Sequence, residues 1–108
     1  MFIYTVQACF DDAAVAEEFI DWLQQGHIQD VIDAGALTGQ VIRVDVGAED
    51  DATAIVEARY TFDSRDAFAA YERDDAPRLR QEGLERFGPE RGIRFERSTG
   101  IATDAHTR

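Results

Sequence analysis

The stretch Phe2-Ile3-Tyr4-Thr5-Val6-Gln7-Ala8-Cys9-Phe10 decides how the rest of the chain is read. Phe2, Tyr4, Val6, Ala8 and Phe10 fall on one side of a two-residue period, and Ile3, Thr5, Gln7 and Cys9 on the other. Side chains of a strand point alternately to opposite faces, so this alternation marks a β-strand with one face in a core. Asp11 and Asp12 follow as N-cap candidates, because a short carboxylate can accept the free N–H groups of a first helical turn. Val15, Phe19, Trp22 and Leu23 then recur at i, i+4, i+7 and i+8, the stripe of an amphipathic helix. Gly26 interrupts that helix. Ile28, Val31 and Ile32 resume its spacing, and Gly35 suits its end.

Working toward the C-terminus, the spacing predicts a second strand at about residues 40–46, with Ile42, Val44 and Val46 on its apolar face. Residues 47–53 are polar and read as a hairpin loop. A third strand, Ala54–Phe62, turns Val56, Ala58, Tyr60 and Phe62 to one side. Opposing Val46 to Ala54 across that loop places Arg43 against Glu57, a favourable charge pair. Asp63 or Ser64 caps a second helix that carries Phe68 and Tyr71 inward. Pro77 fits the first turn of its renewal, Leu84 and Phe87 extend its stripe, and Gly88-Pro89 ends it. Residues 93–98 alternate again as a fourth strand.

Strand, helix, two strands, helix, strand is the split βαβ order. It predicts an α+β fold of the ferredoxin-like βαββαβ type: a four-stranded antiparallel sheet with both helices on one face. One domain over residues 1–99 is expected, followed by a flexible tail over 100–108. The sheet's other face would carry Ile3, Thr5, Cys9, Val41 and Ile55, together with charged neighbours. That mixture predicts a homodimer formed through the open face.

The chain has 108 residues, 22 acidic and 11 basic, for a net charge of −11. Such a field repels phosphate backbones, so no nucleic-acid partner is expected. With a single cysteine, Cys9, neither an intramolecular disulfide nor a four-thiolate zinc site can form within one chain. Met1 leads straight into the first strand without a basic leader ahead of an apolar run, and no segment has the length of a membrane span. The expected location is the cytoplasm, with no membrane partner.

Three segments, FIYTV, WLQQGHIQDVIDAG and YTFDSRDAFAAYERDDAPRLRQEGLERFG, carry a resemblance. In order they contain Trp22-Leu23, His27-Ile28, Asp30-Val31 and Gly35. Tyr60, Ser64, Tyr71, Ala76-Pro77, Leu79-Arg80 and Arg86-Phe87-Gly88 follow. This order and spacing resembles a small family of uncharacterised bacterial proteins in the dimeric α/β barrel superfamily. Gln29 stands where the pattern has proline, and Ala36-Leu37 where it has an aromatic. The resemblance implies the dimeric α/β barrel and pairing sheet to sheet. It implies no single activity: superfamily members include cofactor-independent monooxygenases and isomerases of small aromatic or enolic compounds, haem-degrading proteins, and proteins without known catalysis.

His27 is the one histidine of the expected folded region and the best catalytic candidate. An imidazole titrates near neutrality and can act as a general base, and Asp30, one turn on, could orient it. The plainer alternative is a packing or capping histidine. Trp22, His27, Tyr60 and Tyr71 are the ligand-binding candidates, set against the alternative that the aromatics simply fill the core. Arg78, Arg80 and Arg86 read as solvated charge paired with nearby glutamates, or else as a clamp for an anionic substrate. No cofactor or metal is expected. Haem-degrading relatives carry their histidine on the second helix, and no glycine-rich strand-to-helix turn for a flavin or nicotinamide is present. The function expected is a homodimer that binds a small apolar or aromatic molecule. The alternatives are a cofactor-independent enzyme acting on an enolisable molecule, and a structural or protein-interaction dimer.

Overall fold

The alternation at the N-terminus builds the middle of a sheet. In the computed structural model, which describes residues 1–104 and 106–108, β1 (Phe2–Phe10) lies between β3 (Ala54–Phe62) and β4 (Ile93–Ile101). The strand β2 (Thr38–Val44) pairs with the outer side of β3, giving the antiparallel order β2-β3-β1-β4. Phe2, Tyr4, Ala8 and Phe10 are buried from β1, and Val56, Ala58, Tyr60 and Phe62 from β3. This is the expected ferredoxin-like sheet, with its helices on one face.

The first helical segment is α1 (Ala13–Trp22), a wide turn over Leu23–His27, and α2 (Ile28–Asp33). Asp12 caps α1, accepting the Ala14 N–H at 2.8 Å. Asp11 instead takes the Arg94 guanidinium at 3.0 Å. Gly35 ends the segment at φ 131°, a conformation that side chains with a Cβ resist. The second segment is α3 (Arg65–Asp74) and α4 (Ala76–Arg86), broken at Asp75. Ser64 caps it by accepting the Ala67 N–H at 3.1 Å. Phe68, Tyr71, Leu79 and Phe87 point into the core. Leu84 does not continue their stripe and is 49% exposed. It lies five residues beyond Leu79, about 140° around a helix of 3.6 residues per turn.

Two expectations about the strands are corrected. β4 runs to Ile101, past Ser98, and the Ala102 N–H donates to Met1 O at 2.9 Å. Gly100 and Ile101, assigned to the tail, therefore belong to the sheet, and position 105 lies outside the described residues. The hairpin register is also one residue off. Val44 pairs with Ile55, Arg43 with Val56 and Ile42 with Glu57, so Arg43 does not oppose Glu57. Val46 lies outside the strand and is 40% exposed.

A one-residue slip exchanges faces. Gly39, Val41 and Arg43 therefore face the helices, while Ile42 and Val44 join Ile3, Cys9 and Ile55 on the open face. Gly39 pins this register. A Cβ there would stand 2.8 Å from Ile28 Cγ2 and 3.1 Å from the Tyr60 ring, so only a hydrogen fits. Arg43 tolerates the helix side because it reaches the rim of α1. There its two terminal nitrogens meet Glu17 at 2.5 and 2.9 Å, both residues remaining exposed.

Candidate functional site

His27 sits where the first helical segment loses its regular ladder. The Ile28 N–H donates to Leu23 O, five residues back instead of four. The backbone kinks there at Gly26, whose φ of 171° and ψ of −34° are not helical. The wide turn has a direct consequence. Residues five apart stand about 140° apart on an α-helix, yet here Trp22 and His27 stack, ring centroids 4.1 Å apart and planes 21° apart. The Trp22 indole rests over α4, where a Cβ on Gly83 would come within 3.2 Å of it.

The stacked pair borders two spaces. On the inner side, between helices and sheet, lies a cavity of about 60 Å³ whose walls include Tyr4, His27, Tyr60, Tyr71, Arg80 and Arg97. On the outer side an open cleft of about 610 Å³ is lined by Trp22, His27, Asp30, Glu82, Arg86 and Arg91, among others. His27 lines both.

The polar groups of the inner cavity are unusual for a core. The three tyrosines cluster, with the Tyr4 ring centroid 5.9 Å from that of Tyr60 and 6.3 Å from that of Tyr71. Burial pushes the Tyr71 phenol up to about 12, Tyr4 adding to the effect while Arg80 and Arg97 oppose it. Burial pushes Tyr60 further still. Both stay protonated and able to donate. Arg80 reaches in from α4. Its Nη2 donates to both Glu72 carboxylate oxygens at 2.9 and 2.8 Å and approaches Tyr4 Oη at 3.4 Å. Burial alone would lower the Arg80 pKa, but the bonds to Tyr4 and Glu72 outweigh it and hold the guanidinium charged.

Among the described residues, two buried side-chain nitrogens have no hydrogen-bond partner, His27 Nδ1 and Arg80 Nε, and both residues wall this cavity. Burial lowers the His27 pKa to about 4, against the opposing pull of the Asp30 carboxylate. The ring is thus neutral at pH 7, and its free nitrogen can accept or donate according to tautomer.

Of the residues singled out in the sequence, His27, Tyr60 and Tyr71 meet at the inner cavity, while Trp22 and Asp30 line the outer cleft. Asp30 acts on His27 through its charge; no hydrogen bond joins the two among the described residues. Arg78 pairs with Asp75 at 3.4 Å and Glu82 at 3.6 Å, as solvated charge does. Two contributors were not placed at a site by the sequence reading. Tyr4 read as core. Arg97 carried an unused signal: it follows Ile93 and Phe95 on the face of β4 turned to the helices, an odd place for a charge. Among the described residues, no three His, Cys, Asp or Glu side chains gather as a metal site.

With this geometry in view, comparison with known proteins is informative about fold and family. The model of a family described as a domain of unknown function (DUF4286) matches residues 1–97. No curated protein matches the sequence. Among solved structures, a dimeric ferredoxin-like protein from an uncultured marine organism is similar, with 19% identity, TM-score 0.68, and 97% of each chain covered. HapK from Hahella chejuensis is similar with 18% identity and TM-score 0.69, over 100% of this chain and 98% of that one. A Deinococcus radiodurans protein provisionally assigned as an antibiotic biosynthesis monooxygenase has 13% identity and TM-score 0.61, with 100% and 98% covered. At these identities the structures speak to the fold alone.

Proposed function

The chain belongs to the DUF4286 family, and on that premise we propose that it is a homodimer that holds a small apolar or aromatic molecule at the inner cavity. The observation that carries this reading is a pair of orphaned nitrogens, His27 Nδ1 and Arg80 Nε, on two residues that line one cavity. Buried polar groups are nearly always paired, and leaving one bare costs about 1–3 kcal/mol. A ligand oxygen would satisfy them. The cavity has room for a few ligand atoms only, whereas the outer cleft, at about 610 Å³, has the volume of a whole-molecule site. A polar head would sit inside, with the ring of the molecule against the stacked Trp22–His27 pair at the boundary. The dimeric state of the marine ferredoxin-like protein supports the dimer, which would form through the open sheet face. A cytoplasmic place, with no nucleic-acid partner, suits the acidic surface and the free thiol of Cys9. No helix among the described residues is long and apolar enough to cross a membrane.

The test is a phenol titration followed by the fluorescence of Trp22, the only tryptophan. Saturable quenching is expected in the native protein, and its loss in His27→Ala with the unfolding midpoint little changed. No response to phenol, together with a midpoint several degrees lower in the variant, would mean that His27 only packs. The interaction-dimer reading would then stand.

The enzyme reading has one supporting observation, a neutral imidazole with a free nitrogen at the cavity wall. It would take a proton from carbon, the resulting enolate oxygen accepting from Arg80 and a tyrosine. Against this, a general base works best with a pKa near the working pH. At about 4 His27 is a weak base, so binding is the stronger reading.

A further inference from the structure

We infer that the inner cavity selects a ligand with an anionic head, a carboxylate or an enolate, and that Arg97 supplies the charge that selects it. The inference rests on the reading of that cavity as a ligand site. Across the protein, acids outnumber bases 22 to 11, so its field repels anions at long range. At the cavity the balance reverses. Arg80 and Arg97 both line it, from α4 and from β4. Among the described residues one carboxylate answers them: Glu72, engaged by a single terminal nitrogen of Arg80. That leaves Arg80 Nε buried and unpaired on a residue that lines the cavity.

Arg97 has no carboxylate partner among the described residues; its guanidinium lies 5.8 Å from the Phe95 ring centroid. Most arginines of this chain do find one, as Arg43, Arg78, Arg91 and Arg94 do. An exposed guanidinium without a carboxylate partner, an unpaired Nε–H and neutral phenols able to donate, all on residues lining one cavity, form a set of donors suited to a small anion. Both arginines also oppose the upward shift of the Tyr71 phenol, a third residue of the same lining.

Benzoate and benzyl alcohol share a ring and differ in the charge of the head, so they separate the alternatives. Binding of each is followed by Trp22 fluorescence in the native protein, Arg97→Ala and Arg97→Lys. Arg97 is exposed, so removing its side chain leaves the core intact. Expected are benzoate binding about tenfold tighter than benzyl alcohol in the native protein, loss of that preference in Arg97→Ala, and its partial return in Arg97→Lys. Benzyl alcohol binding as tightly as benzoate, or benzoate affinity unchanged in Arg97→Ala, would overturn the inference while leaving the site in place. Failure of both probes, and of phenol, would overturn the site and this inference together.

Discussion

At the scale of single residues, His27 links stability to pH. Its pKa lies at about 4 in the folded chain against an ordinary 6.5, chiefly through burial. Between those values the unfolded chain binds a proton that the folded one refuses. The stabilisation is therefore complete above pH 6.5 and is lost as pH falls toward 4, by up to about 3 kcal/mol. Urea unfolding at pH 7 and pH 4.5 should show a steeper loss in the native protein than in His27→Phe, whose ring can still stack on Trp22. Equal slopes would mean that His27 is solvated and titrates normally. The candidacy of His27 was legible in the sequence because it is the one histidine amid an apolar stripe. Its stacking on Trp22 was not, since the wide turn that brings residues five apart together leaves only Gly26 as a trace.

At the scale of elements, the β2–β3 hairpin shows where local pattern stops deciding. Alternation alone allowed either face of β2 to turn inward, since Val41 and Ile42 are both apolar. Gly39, within β2, breaks the tie through its close approach to Ile28 of α2 and Tyr60 of β3. Gly39→Ala should therefore destabilise the fold by about 1–3 kcal/mol through overpacking. The measure is the shift in urea midpoint at unchanged m-value. A neutral result would show that β2 is free to slide or lift. The Arg43–Glu17 pair that replaces the expected Arg43–Glu57 contact is exposed on both sides, where solvent and salt screen it.

At the scale of the molecule, one sheet face carries the helices and the other carries Ile3, Cys9, Ile42, Val44 and Ile55 beside Gln7, Glu57, Arg59, Arg94 and Glu96. Four strands at about 4.8 Å spacing make this face roughly 400 Å² in projection, and more once side chains are counted. Docked on a copy of itself, it approaches the area of a stable interface. Light scattering at micromolar concentration should give twice the chain mass of 12.1 kDa. Thr5→Arg, which sets a second cation opposite Arg59 on this face, should shift the mass toward one chain. A monomer mass for the native protein would remove the dimer from the proposal.

The sequence by itself determined the elements and, apart from β2 and Leu84, their inward faces. The two-residue period of Phe2–Phe10, the caps at Asp12 and Ser64, and the placement of Phe68 and Tyr71 are all local or periodic, and a chain carries local signals intact. The tertiary structure alone decided the register of β2, the stacking of Trp22 on His27, and the meeting of Arg80 and Arg97 at one cavity. Those depend on distances between elements far apart in the chain. Such distances are set by which side chains collide and which interlock when the layers close, as Gly39 does beneath Ile28 and Tyr60, and no period along one segment encodes them.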